Sequence, residues 1–144
     1  MSGRPNRYNT AGVRCIYFAE DEATAAAEYE RHTRPLKQPF ATYFAEVEIA
    51  AILDLCSPQT VKALGVSTRE LHKNWVRAKR PTSTQRLGNA VSHQIGIAAI
   101  RFPSEAARKK GFAGANVVIF RDSLSNYDHV RILGPGKKAL QKWP

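Results

Sequence analysis

Long hydrophobic runs, cysteines and acidic side chains are all scarce in this 144-residue chain. The longest uncharged apolar stretch, Ile49-Ala50-Ala51-Ile52-Leu53, is far short of the roughly 20 residues that a membrane-spanning helix needs. Cys15 and Cys56 are too few for a disulfide framework or a thiolate zinc site. They read as two buried free thiols in a reducing compartment. Met1 to Asn6 lacks the apolar core of a signal peptide, so a cytoplasmic location without membrane contact is expected. The four histidines, His32, His72, His93 and His129, show no metal-ligand spacing, and no metal site is expected. Walker, Gly-x-Gly-x-x-Gly, His-Glu-x-x-His and Gly-x-Ser-x-Gly sequences are all missing.

Acidic residues number 12 against 22 Lys and Arg, for a net charge of +10. Such a balance implies an anionic partner: nucleic acid, a phosphorylated small molecule or an acidic protein. The excess is one-sided. Residues 1–54 hold 6 basic and 8 acidic side chains, while residues 55–144 hold 16 and 4. Lys73, Arg77, Lys79 and Arg80 surround Trp75, and Arg108-Lys109-Lys110 and Lys137, Lys138 and Lys142 follow. A basic cluster with an aromatic side chain is one form of nucleic-acid surface; a solvated face is the other reading.

Hydrophobic residues at 43% and charged residues at 24% fit one globular domain over residues 1–144. Arg14–Ala19 reads as a strand, and Glu20-Asp21-Glu22 opens a helix that Arg34-Pro35 ends. Thr42 to Ile49 alternates like a half-buried strand, which Ile52–Leu55 continues or partners. Ser57 caps a short helix that Gly65 stops, and Ser67-Thr68-Arg69-Glu70 forms a capping box for another ending near Trp75. Thr82–Ile95 reads as a helix with Leu87, Val91 and Ile95 facing the core. Ile97–Ile100, the basic helix Ala106–Lys110, a turn marked by Gly111, Gly114 and Asn116, and the strand Val117–Phe120 follow. Residues 123–144 read as a loose basic tail. Helices and strands mix without regular βαβ spacing, so the fold expected is α+β, a compact mixed sheet with flanking helices.

One scattered set of residues has the chemistry for cleaving an N-glycosidic bond. Arg7 can clamp a diphosphate with its planar fork. Tyr17 can stack on a flat ring, and a carboxylate such as Glu28 can stabilise a sugar oxocarbenium ion. Ser104 can hydrogen-bond a substrate, or simply cap the helix after it. Asn116 can supply a turn conformation. Helical spacing from Ala23, Ala26 and Ala27 leads to Glu30 as the packed residue and leaves Glu28 about 160° round the helix.

The order and spacing of several short pieces resemble the RES-domain family, toxins of RES–Xre toxin–antitoxin pairs. The pieces are Arg7-Tyr8-Asn9-Thr10-Ala11-Gly12, Tyr17-Phe18-Ala19, Thr24-Ala25-Ala26-Ala27-Glu28, Leu53-Asp54-Leu55, Leu64-Gly65 and Trp75. Pro81 to Gly88, Phe102-Pro103-Ser104 and Asn116 to Phe120 complete the match, over roughly residues 4–122. The resemblance implies a fold related to ADP-ribosyltransferase toxins and consumption of NAD by phosphorolysis or hydrolysis, or transfer of ADP-ribose to a protein. NAD is then the substrate, inorganic phosphate a co-substrate, and no resident cofactor is implied. An Xre-like antitoxin is the implied partner, with nucleic acid reached only through it. The resemblance assigns catalysis to Arg7, Glu28 and Ser104, and substrate contact to Arg7, Tyr17, Gln85, Ser104 and Asn116. It favours Glu28 over Glu30. Family members usually carry a strand and loop before the first arginine, whereas this chain starts almost at that motif; either it is short there or a partner completes the sheet.

Overall fold

The computed structural model describes residues 1–33, 39–72, 75–94 and 96–144, without the side chains of His32 and Thr68. The expected helix end at Arg34-Pro35, Lys73 of the basic cluster and Ile95 of the expected core lie outside the described residues. Seven strands and five α-helices make an α+β fold among the described residues. They are β1 (Cys15–Ala19), α1 (Glu22–Thr33), β2 (Phe44–Glu48), β3 (Ile52–Asp54), α2 (Pro58–Ala63), α3 (Thr68–Leu71) and α4 (Ser83–Ser92). Then come β4 (Ala99–Pro103), α5 (Glu105–Lys109), β5 (Ala115–Phe120), β6 (His129–Leu133) and β7 (Ala139–Trp143).

The strands form two sheets rather than the expected single one. In the first, ordered β1-β5-β4-β3, only the β3–β4 pair is parallel. Because side chains alternate along a strand, β5 packs on both of its faces. Val118 and Phe120 join Tyr8, Leu55, Leu71, Val91, Ile100 and Phe102 in the main core. Ile119, with Ala99, meets Val130 of the second sheet, and Trp143 packs beside them.

The second sheet, ordered β2-β6-β7, corrects two expectations. Residues 123–144 are no loose tail, because β6 and β7 pair antiparallel around residues 134–138. β2 is not half-buried, since Tyr43, Phe44 and Val47 are 57%, 65% and 42% exposed. β2 pairs with β6, and Ile52–Leu55 neither continues it nor partners it: β3 runs beside β4 in the other sheet. The apolar alternation in Thr42–Ile49 was real, but its partner lies some eighty residues downstream, beyond the reach of a local pattern.

Local signals held where the chemistry is local. Ser57 Oγ accepts from Thr60 N at the start of α2, Gly65 takes φ +63 after its end, and Ser67 and Glu70 make a reciprocal capping box. α3 stops at Leu71, short of Trp75. Asp21 caps α1 by accepting from both Thr24 N and Thr24 Oγ1 at 2.7 Å, and these bonds hold its carboxyl below the usual range. Both thiols are free; Cys15 is buried, and burial pushes it up to about 11, while Cys56 is half-buried. No helix among the described residues is long and apolar enough to cross a membrane.

Two glycines set close approaches. At Gly114 a Cβ would lie 2.3 Å from Thr24 Oγ1 and 2.8 Å from Ala107 Cβ, so α1 and α5 meet over bare backbone. At Gly88 in α4 a Cβ would lie 1.7 Å from the Tyr8 carbonyl oxygen. Alanine for glycine inside a helix ordinarily stabilises by about 1 kcal/mol. Here Gly88→Ala should instead destabilise by about 1–3 kcal/mol, the usual cost of overpacking. Urea unfolding measures it, and a stabilised Gly88→Ala protein would refute the contact.

Candidate functional site

Helix α1 buries Thr24 and Ala27, while Ala23 is exposed. The inward stripe is therefore Thr24-Ala27-Glu28-Arg31, at spacings of three and four, and not the alanine series. Glu30 points elsewhere and pairs with Lys110 Nζ at 2.7 Å. Glu28 enters a cleft of about 440 Å³, within the range of small-molecule sites.

Three elements converge on the Glu28 carboxylate. Ser104, the N-cap of α5 just after β4, donates from Oγ to Glu28 Oε1 at 2.8 Å. The same oxygen accepts from Ala107 N at 3.1 Å, so one hydroxyl serves both as helix cap and as partner of Glu28. Asn116 belongs to β5 rather than a turn, and its Nδ2 donates to Glu28 Oε1 at 2.8 Å. Strand register explains its place: Asn116 sits between Ala19 and Phe102, which puts its side chain on the face that carries Tyr17 and Phe102. Two donors on Oε1 leave Oε2 facing Arg31, whose guanidinium is 3.9 Å away.

Arg7 lines the same cleft from the N-terminal loop. One of its N–H groups donates to the Leu71 carbonyl at 2.8 Å, which steadies the guanidinium and leaves other donors for a ligand. Tyr17 presents its ring to the cleft and turns its hydroxyl away, donating to Asn9 Oδ1 at 2.9 Å and accepting from Tyr8 N at 3.0 Å. Burial pushes this phenol far above its ordinary range, so it stays protonated and keeps donating.

Gln85 does not line the cleft. It closes the capping box of α4 with Thr82, and its Nε2 donates to the carbonyls of Asn6 and Asn9 at 3.0 and 3.4 Å. Asn89 adds a reciprocal pair with Thr10, at 3.2 Å to its N–H and 2.8 Å to its hydroxyl. Gln85 thus stands behind Arg7 as a support of its loop. The Thr-x-x-Gln spacing is a legible helix start, but it says nothing of the long-range bonds to Asn6 and Asn9.

Asn6, Arg31, His72 and Lys109 also line the cleft and were not expected there. Only Arg31 carried a signal, one turn beyond Glu28 on the same helix. His72 Nδ1 lies 3.0 Å from a carboxylate oxygen of Glu105. Trp75 also lines the cleft, whereas Arg77, Lys79 and Arg80 are exposed. The aromatic of the basic cluster is therefore part of the Glu28 site. Among the described residues no group of His, Cys, Asp and Glu side chains could hold a metal ion.

The RES domain family model matches residues 2–139 of the 144. No curated protein and no solved structure gave a significant match.

Ser104→Ala removes both the cap of α5 and a donor to Glu28. The lost cap alone costs about 0.5–2 kcal/mol. A melting temperature lower by a few degrees is expected, and one equal to the parent's would show that the hydroxyl holds nothing.

Proposed function

The chain belongs to the RES-domain family, a family of NAD-acting toxins, and on that premise we propose that it cleaves the nicotinamide–ribose bond of NAD in the cytoplasm. The observation that carries the reading is the Glu28 carboxylate, held through one oxygen by Ser104 and Asn116, in the same cleft as Arg7.

Arg7 receives the diphosphate through the donors that Leu71 leaves free. The Tyr17 and Trp75 rings give flat apolar surface to the bases. As the C–N bond breaks, its electron pair passes to the nicotinamide nitrogen, which leaves neutral. Positive charge then develops on the ribose, and the second oxygen of Glu28, Oε2, stabilises it. Fixing the carboxylate beforehand means that little reorganisation is needed as that charge forms. Phosphate or water supplies the oxygen that bonds to the sugar carbon; attacking water gives up one proton, which passes to solvent. Arg31 and Lys109 add positive charge to the cleft, which suits an anionic acceptor.

An Xre-like antitoxin that covers the cleft is the partner we propose. The net charge of +12 on residues 55–144 exceeds what a dinucleotide requires and suits an acidic partner face. Affinity for the antitoxin should fall steeply as salt rises, and a salt-independent affinity measured by titration calorimetry would remove the electrostatic argument.

Incubation with NAD should release nicotinamide. Glu28→Gln should lower the rate by about 100-fold or more, as loss of a charge-stabilising group does, while Glu30→Gln leaves it near the parent value. Equal loss in both variants, or no nicotinamide from the parent, contradicts the assignment. Dependence of the rate on phosphate distinguishes phosphorolysis from hydrolysis. A protein band labelled from radioactive NAD would point instead to ADP-ribose transfer.

A further inference from the structure

A second and larger cleft, of about 680 Å³, opens between the two sheets and does not involve Glu28. Its floor is the other face of the first sheet, with Phe18, Val117 and Ile119. Five large apolar side chains with substantial exposure line it: Phe40 at 49%, Tyr43 at 57%, Phe44 at 65%, Val47 at 42% and Ile52 at 43%. Scattered apolar residues on a surface need no explanation, but five gathered in one groove mark an interaction site.

Two further features say what the groove takes. The first is an open strand edge. Among the described residues β2 is hydrogen-bonded on one side only, to β6, and lies at the margin of its sheet. Phe44, Ala45 and Val47 all line the groove; because neighbouring side chains point to opposite faces, the strand turns its edge to it. An unpaired edge is a template for an added strand. The second is charge. Glu20, Asp21 and Glu22 line the groove, and among the described residues no Lys or Arg does, in a chain of net charge +10. Glu20 is neutralised by Arg101 and Asp21 caps α1, but Glu22 has no basic partner among the described residues.

We propose that the free edge of β2 accepts an extended, cationic segment of a partner protein as an added strand, its apolar side chains entering the groove and its basic ones meeting the carboxylates around Glu22. Backbone hydrogen bonds would supply affinity, and alternate side chains specificity. This surface stands independently of the NAD reading, because none of its argument uses Arg7, Glu28, Ser104 or Asn116.

The test uses the full chain and a fluorescein-labelled peptide of about eight residues that alternates lysine with valine and phenylalanine. Overall charge repels such a peptide from a +10 protein, so saturable binding by fluorescence anisotropy reports the groove. A proline at the peptide's centre, which removes a backbone donor, should weaken binding by about tenfold or more. Phe44→Asp and Glu22→Lys should each weaken it by about tenfold, with unchanged far-ultraviolet circular dichroism. A peptide with glutamate in place of lysine should show no loss in either variant, because any binding it has is to basic surface elsewhere. Failure of the lysine peptide to bind, or equal binding to parent and variants, overturns the proposal. A parent dimer in sedimentation velocity that Phe44→Asp dissociates also overturns it, by making a second copy the occupant.

Discussion

Two hydrogen bonds to a single oxygen organise the cleft. Ser104 and Asn116 both donate to Oε1 of Glu28, across 76 and 88 residues of chain. Two donors on one oxygen restrain the carboxylate and leave its second oxygen toward Arg31. The bonds exist because α1 approaches α5 over Gly114, with Thr24 and Ala107 in the space that a side chain there would fill. The close approach also explains why Thr24 is fully buried and why its hydroxyl is satisfied by Asp21. A buried hydroxyl without a partner would carry a desolvation cost.

The opposite requirement, to hold an arginine on an N-terminal loop, is met by buried polar contacts. Asn9 is fully buried and donates to the carbonyls of Arg4, Thr10 and Val13. Tyr17, Gln85 and Asn89 grip the loop from three directions, and Gly88 lets α4 lie directly on it. Among the described residues no buried side-chain nitrogen or oxygen lacks a hydrogen-bond partner. Such a network is rigid only when complete, and here it is complete on the side facing away from the cleft.

Charge separates the molecule's surfaces. Basic side chains enter the Glu28 cleft through Arg7, Arg31 and Lys109, while carboxylates line the groove beside β2. The two clefts share Tyr17, Phe18, Ala19 and Ala25, so β1 and the start of α1 form the wall between them. One strand thus borders two surfaces of different charge, one with both basic and acidic side chains and one with carboxylates but no Lys or Arg among the described residues.

By itself the sequence determined the α+β class, most helix starts and the membership signalled by its ordered motifs. Caps at Ser57, Ser67 and Ser104 depend on side chains within three residues of the bonds they make, so spacing along the chain reveals them. Family order, not periodicity, pointed to Glu28. The alanine series favoured Glu30, because helical spacing shows which residues share a face and not which face is buried. Tertiary structure decided that question through Gly114, and it placed Gln85 outside the Glu28 cleft, bonded to the loop that carries Arg7. It also drew Trp75 into the cleft and recruited a lysine-rich end as strands for β2. These outcomes depend on contacts between residues tens of positions apart. Loop closure and packing select such contacts, and neither leaves a period of 2 or 3.6 for a reader of the sequence to find.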